Sequence, residues 1–240
     1  MFPLRDHNRA RRRPYVTGAL IAANLLAWAG IQGLGTGAAL TRSICSLGLI
    51  PGALLGTVDP GTAVDLGVGT CVLGAPADAW ITPLSSMFLH GSWMHLIGNL
   101  WFLWIFGDNV EDELGHARYL LFYLVCGLAA AAAQVASHPA SEVPMVGASG
   151  AIGGVMGAYA LLHPRARVDL LMVFGFFVRV VPVPAVFMLG YWLLIQVVSG
   201  SLSGVEAGVA FWAHVGGFAA GAALAYPLRR RPRSRVAPRR

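Results

Sequence analysis

"VGASGAIGGVMGAYA" (Val146 to Ala160) sets one serine among glycines in a stretch that carries no charge. Small residues let two helices approach closely in lipid, where packing and hydrogen bonds rather than hydrophobicity drive association. The stretch therefore reads first as a helix-packing face inside a bilayer. Whether Ser149 does more depends on which polar groups share its depth.

The composition supports the bilayer. Of 240 residues, 56% are apolar and 12% charged, with mean hydropathy +0.64. A soluble domain carries about 25% charged residues, and this chain lacks the polar side chains to coat a large water-soluble core. A bilayer-crossing helix needs roughly 20 mostly apolar residues. Six stretches qualify, near 15–33, 82–106, 117–137, 145–163, 183–200 and 207–227. The expectation is an all-α, polytopic, six-span core over 15–227, between a basic amino terminus (1–14) and an arginine-rich tail (228–240). The segment "VDLLMVFGFFVRVV" (Val168 to Val181) is interrupted by Arg179 and followed closely by Pro182 and Pro184, and reads as an interfacial or re-entrant lead-in to the fifth span.

All 17 basic residues are arginine. Five precede the first span, seven lie from Arg229 onward, and Arg118, Arg165, Arg167 and Arg179 fall in connections of the same parity. Only Arg42 falls on the other side. This asymmetry places both termini in the cytoplasm, and the arginine tails meet anionic lipid rather than nucleic acid. The longest polar connection, about Gly35 to Asp78, is then outside. It holds Cys45 and Cys71, for which an oxidising compartment permits a disulfide. Cys126 reads as a buried apolar filler.

Polar residues inside a membrane are costly and are functional candidates by default. They concentrate in three spans: His90, His95 and Asn99 in the second, Ser149 opening the fourth, and His214 early in the sixth. Even-numbered spans run from outside to inside, so all of them lie in the outer half. His214, Gly217 and Gly221 share one helical face, as do Ser149, Gly153 and Gly157, with Gly150 and Gly154 beside them. Glycine faces on spans four and six would bring the serine to the histidine. His95 and Asn99, one turn apart, can donate toward the same cavity, where donors aimed at a developing oxyanion matter most. The Ser149 amide, in a first helical turn without intrahelical partners, adds another. No carboxylate lies beside His214. A Ser–His pair remains workable, because the base has only to be held and oriented.

"GASG" in span four, "H-x-x-x-N" in span two and "AHVGGFAAG" in span six together resemble the rhomboid intramembrane serine proteases, over about Tyr15 to Tyr226. The stretch "SMFLHGSWMHLIGNL…FGDNVEDELG" is similar to the second span of bacterial members. The resemblance implies Ser149 as nucleophile, His214 as general base, and His95, Asn99 and the Ser149 amide as the oxyanion site, with Gly147 shaping the loop before it. It implies hydrolysis of peptide bonds in or beside transmembrane segments of substrate proteins, without a cofactor, in a bacterial inner membrane. Two features depart from the family pattern. Trp80 is followed by Ile81 where many relatives have arginine, which puts in doubt a loop anchor involving Glu111 or a neighbour. Gly153 stands where some relatives stack an aromatic residue on the histidine, leaving Tyr159 or Trp212 as candidate braces.

Other readings fare less well. No H-E-x-x-H zinc helix occurs, and no carboxylate or cysteine cluster joins His90, His95 and His214 to hold a metal. The G-x-S-x-G elbow fails at Ala151. "GDNVEDEL" (Gly107 to Leu114) reads as a solvated cap at the cytoplasmic end of span two, with Arg118 as a partner. A polytopic binding or transport protein is the main alternative, yet no acidic residue sits mid-span and no inverted repeat is visible. A non-cleaving relative would typically have lost the serine or the histidine, and this chain keeps both.

Overall fold

The computed structural model describes residues 2–59, 61–67, 69–73, 76–175, 177–202 and 208–229. The arginine tail beyond Arg229 lies outside them. Helices dominate: α1 (Tyr15–Gly30), α2 (Gly37–Leu47), α3 (Pro51–Leu55), α4 (Thr82–Ser85), α5 (Trp93–Leu114), α6 (His116–Ser137), α7 (Ser149–Leu162), α8 (Ala185–Leu202) and α9 (Phe211–Leu228). The all-α expectation gives way to a mostly helical fold with two small sheets. Among the described residues, α6 and α8 are long and apolar enough by themselves to cross a membrane.

One correction concerns α5, which begins at Trp93 and runs to Leu114 rather than occupying 82–106. Pro83 and the short turns of 76–88 break the chain before it, and Ser92 caps the helix by accepting the His95 N–H at 3.1 Å. A serine N-cap satisfies one of the orphan donors of a first turn. The shift carries the acidic run into the last turns of α5.

A second correction concerns the stretch after α7. It is not helical: β4 (Arg167–Phe174) and β5 (Phe177–Pro184) form an antiparallel hairpin, and β1 (Phe2–Asp6) joins the other side of β4 in the order β1-β4-β5. Its many valines favour the pleated conformation. Pro182 and Pro184 are tolerated because β5 is an edge strand. A smaller hairpin, β2 (Ala63–Asp65) with β3 (Thr70–Val72), belongs to the other end of the molecule, where Cys45 of α2 and Cys71 are joined in a disulfide.

Polar contacts gather the hairpin end. Arg5 Nε and His7 Nε2 reach Asp169 at 2.9 and 2.8 Å. Hydrogen bonds from Arg5, then His7, hold the Asp169 carboxyl below its ordinary range. Asp6 accepts from Tyr159 Oη at 2.5 Å and Asn109 Nδ2 at 3.0 Å; burial raises its carboxyl above the usual value despite those bonds. Glu111 is 1% exposed, not a solvated cap. It accepts from Val16 N, Thr17 N and Thr17 Oγ1 at 2.7–2.9 Å and lies 2.6 Å from His116 Nδ1, so it anchors the first turn of α1. Asp112 pairs with Arg11 N and the Arg12 guanidinium, and Glu113 with Arg229. Arg118 instead donates to the Leu228 carbonyl. These bonds collect the start of α1, the ends of α5 and α9 and the start of α6 at one end of the bundle. The starts of α5, α7 and α9 therefore face the opposite end.

Candidate active site

The glycines set how closely α7 and α9 approach. A Cβ on Gly217 would overlap the Gly150 carbonyl, one on Gly221 the Gly154 carbonyl, and one on Gly157 the Phe218 carbonyl. Such contact is backbone on backbone, and it leaves no room for a methyl group. At Gly153 a Cβ would lie 3.0 Å from the His214 carbonyl oxygen, a tight contact that would require the seam to give slightly. On their outer flank Gly150 and Gly154 meet Ala130 and Cys126 of α6.

The seam brings the first residue of α7 to the fourth of α9. Ser149 Oγ lies 2.8 Å from His214 Nε2, and His214 Nδ1 lies 2.7 Å from Gln196 Oε1 of α8. The Gln196 amide nitrogen donates, at 3.4 Å, to the Trp192 carbonyl one turn back, which turns its oxygen toward the ring. An oxygen that only accepts requires Nδ1–H, leaving the Nε2 lone pair for the serine hydroxyl. The Trp192 ring lies beside the imidazole, tilted by 40° with centroids 5.7 Å apart. Neither suggested brace takes this place: Tyr159 bonds Asp6 at the far end, and Trp212 lies against Gly200.

His95 and Asn99 of α5 face the loop that precedes Ser149. Gly147 has φ +126°, which L side chains rarely adopt, and a Cβ there would stand 2.7 Å from His95 Nε2 and 3.5 Å from Asn99 Nδ2. The loop is fixed by Gly147 N donating to Ser86 O at 2.9 Å and by the paired bonds of Met145 with Leu49. His95 Nδ1 accepts from Gly91 N at 3.4 Å, which leaves Nε2 to carry the ring proton on the Gly147 side. Asn99 Nδ2 is buried and has no acceptor among the described residues. Ser149 N–H, opening α7, adds a donor without an intrahelical partner. All five side-chain or loop positions (His95, Asn99, Gly147, Ser149 and His214) line one cavity of about 350 Å³, with Trp192 on its wall.

His90 is wholly buried beside His95, and its backbone N–H and C=O are both held by Gln32. Among the described residues no group of three or more His, Cys, Asp or Glu side chains is arranged to hold a metal. The sequence reading missed two polar groups. Gln196 was visible as a lone amide in an apolar helix, which the cost of intramembrane polarity already marks. The burial of Glu111 had no such signal, because its run looks like any charged helix end.

A family model, the Rhomboid domain, matches residues 77–231. Rhomboid-like protein 11, chloroplastic, of Arabidopsis thaliana is 39% identical over 84 residues, 35% of this chain and 30% of the relative. Rhomboid protease GluP of Bacillus subtilis is 33% identical over 150 residues, 62% of this chain and 27% of the relative. RHOMBOID-like protein 12, mitochondrial, of Arabidopsis thaliana is 30% identical over 170 residues, 64% of this chain and 48% of the relative. The match thus spans less than half the length of each of these relatives.

Proposed function

This chain belongs to the rhomboid family, and from that premise we propose that it is an intramembrane serine endopeptidase. The rhomboid family is integral to membranes, and the Bacillus subtilis relative is named a protease. The observation that carries the reading is the 2.8 Å approach of Ser149 Oγ to His214 Nε2, in a cavity with donors on its opposite wall. We place the chain in a bacterial inner membrane with six spans (α1, α5, α6, α7, α8 and α9) and both termini in the cytoplasm. The cavity then opens outward, and its substrates are transmembrane segments of other proteins.

The chemistry follows from the donor set. As Ser149 Oγ bonds to the substrate carbonyl carbon, its proton passes to His214 Nε2. The carbonyl electron pair moves onto oxygen, where Asn99 Nδ2, His95 Nε2 and the Ser149 amide receive the charge. Collapse breaks the C–N bond, and the leaving amine takes the proton from Nε2. Water then attacks the acyl-enzyme ester by the same route, releasing the acid and restoring the serine. The second half of the reaction needs water in the cavity, and neither half needs a cofactor.

The test is cleavage of a transmembrane substrate in reconstituted vesicles. Ser149→Ala and His214→Ala are each expected to abolish cleavage while the fold survives. Undiminished cleavage by either variant contradicts the proposal, and a fully folded parent chain that cuts no transmembrane substrate points to a non-cleaving binder.

A further inference from the structure

We infer that Gln196 is the positioning residue for the base: a neutral amide from α8 that holds His214 in the tautomer and orientation Ser149 requires. The inference rests on the serine-protease reading and adds the partner that the Ser–His pair lacks.

The helix α8 is apolar over most of its length, and its buried residues are Ala185, Met188, Leu189 and Gln196. With Trp192 half-buried between them, they make one stripe of i, i+3 and i+4 spacing toward the bundle. Gln196 is the one polar member of that stripe, 7% exposed. A buried amide without partners costs about 1–3 kcal/mol, so an apolar residue would serve packing better. Both ends of this amide are engaged: its nitrogen at the Trp192 carbonyl and its oxygen at His214 Nδ1. Among the described residues no carboxylate bonds to His214. The groups around it are Ser149 of α7, His95 of α5, and Gln196 and Trp192 of α8, while Gln134 of α6 accepts from the neighbouring Ala213 N–H at 3.3 Å.

The geometry determines what Gln196 can do. Its oxygen accepts from Nδ1–H both before and after Nε2 takes the serine proton, so the ring need not turn during the reaction. It brings no full charge, and it therefore orients the base without the electrostatic support of a carboxylate. Without it the imidazole is free to carry its proton on Nε2, facing Ser149, where it cannot act as base. The bracing group comes from α8 and not from either helix of the seam, so the seating of α8 on the bundle and the readiness of the base are one condition.

Gln196→Met keeps the length and the apolar stem but cannot accept from Nδ1–H; Gln196→Glu keeps an acceptor at the same reach. If Gln196 positions the base, the Met variant of the full reconstituted chain loses kcat by about 10²-fold, in the range general-base catalysis contributes. Its KM and melting temperature stay near those of the parent. The Glu variant retains kcat within about tenfold, since it restores the acceptor. A packing role predicts the reverse order, with Met tolerated and a buried carboxylate disruptive. Retention of kcat within about threefold by the Met variant, or equal losses in the two variants, overturns the inference. Fluorophosphonate labelling of the parent separates the two levels. A parent without Ser149-dependent labelling defeats the protease reading; a Met variant that labels as fast as the parent defeats only the role of Gln196.

Discussion

At the hairpin end of the bundle, Asp6, Glu111, Asp112, Glu113 and Asp169 each have a hydrogen-bonding or ionic partner, and those partners tie β1, α1, α5, α6 and α9 together. At the other end, two helices touch through glycine, and a few polar side chains stand around a cavity. Asn99 Nδ2 there has no acceptor among the described residues. Satisfied polar groups rigidify a structure, whereas buried unsatisfied ones need an explanation. The carboxylate ties fix where the helices sit at the first end; at the second, Asn99 Nδ2 is left available to a substrate, although buried groups without a partner occur at the first end as well, Asn8 Nδ2 and His163 Nε2 among them.

Substitutions should therefore act differently at the two ends. The largest effect is expected at the seam. Gly221→Leu puts a branched side chain onto the Gly154 carbonyl, an overpacking that costs about 3 kcal/mol or more. Thermal melting and yield of folded protein should both collapse; a variant that melts like the parent shows that α7 and α9 are further apart than described. Next comes Asn99→Ala, which removes one oxyanion donor and should lower kcat by about 10²–10³-fold with little change in melting. Equal losses of stability and activity would make Asn99 part of the scaffold instead.

Glu111→Gln probes the networked end. It weakens the carboxylate's bonds to the first turn of α1 and to His116, and each poorly satisfied buried group costs about 1–3 kcal/mol. Melting should fall while activity per folded molecule holds. A selective loss of activity would erase the distinction drawn between the ends. The smallest effect belongs to Asp169→Asn, where the Arg5 partner is largely exposed and solvent screens the pair. Because folding depresses this carboxyl, its contribution is present above pH of about 4. It is lost as pH falls through the depressed value. Protection factors of the β1 amides, corrected for the slower intrinsic exchange in acid, should fall with pH in the parent and show little such dependence in the variant.

Much of this was legible in the sequence, and for stated reasons. Long apolar runs read readily as helices, so α1, α6, α7, α8 and α9 occur close to where apolar length put them, while α5 starts only at Trp93. Glycine spacing placed Ser149 on the face that meets His214, because a four-residue repeat of small side chains admits a second backbone. The β4-β5 hairpin was not legible, since a short valine-rich run with two prolines fits an interfacial segment equally well. Its identity depends on pairing with β1, more than 160 residues away in the chain. The brace of His214 escaped for a related reason. The reading sought an aromatic residue on α7 or α9, while the group present is an amide on α8, and only the packing of three helices brings it to the ring. Glu111 shows the same limit, because burial of a carboxylate is decided by where α1 docks.

The reactivity of the Ser149 hydroxyl is the most direct test of the serine–histidine site. Full-length protein in detergent or vesicles is treated with a fluorophosphonate and the adduct mapped by mass spectrometry. A single adduct on Ser149, lost in His214→Ala with the fold intact, is the predicted result. An unlabelled Ser149 in folded parent protein, or labelling that persists undiminished without His214, would contradict it.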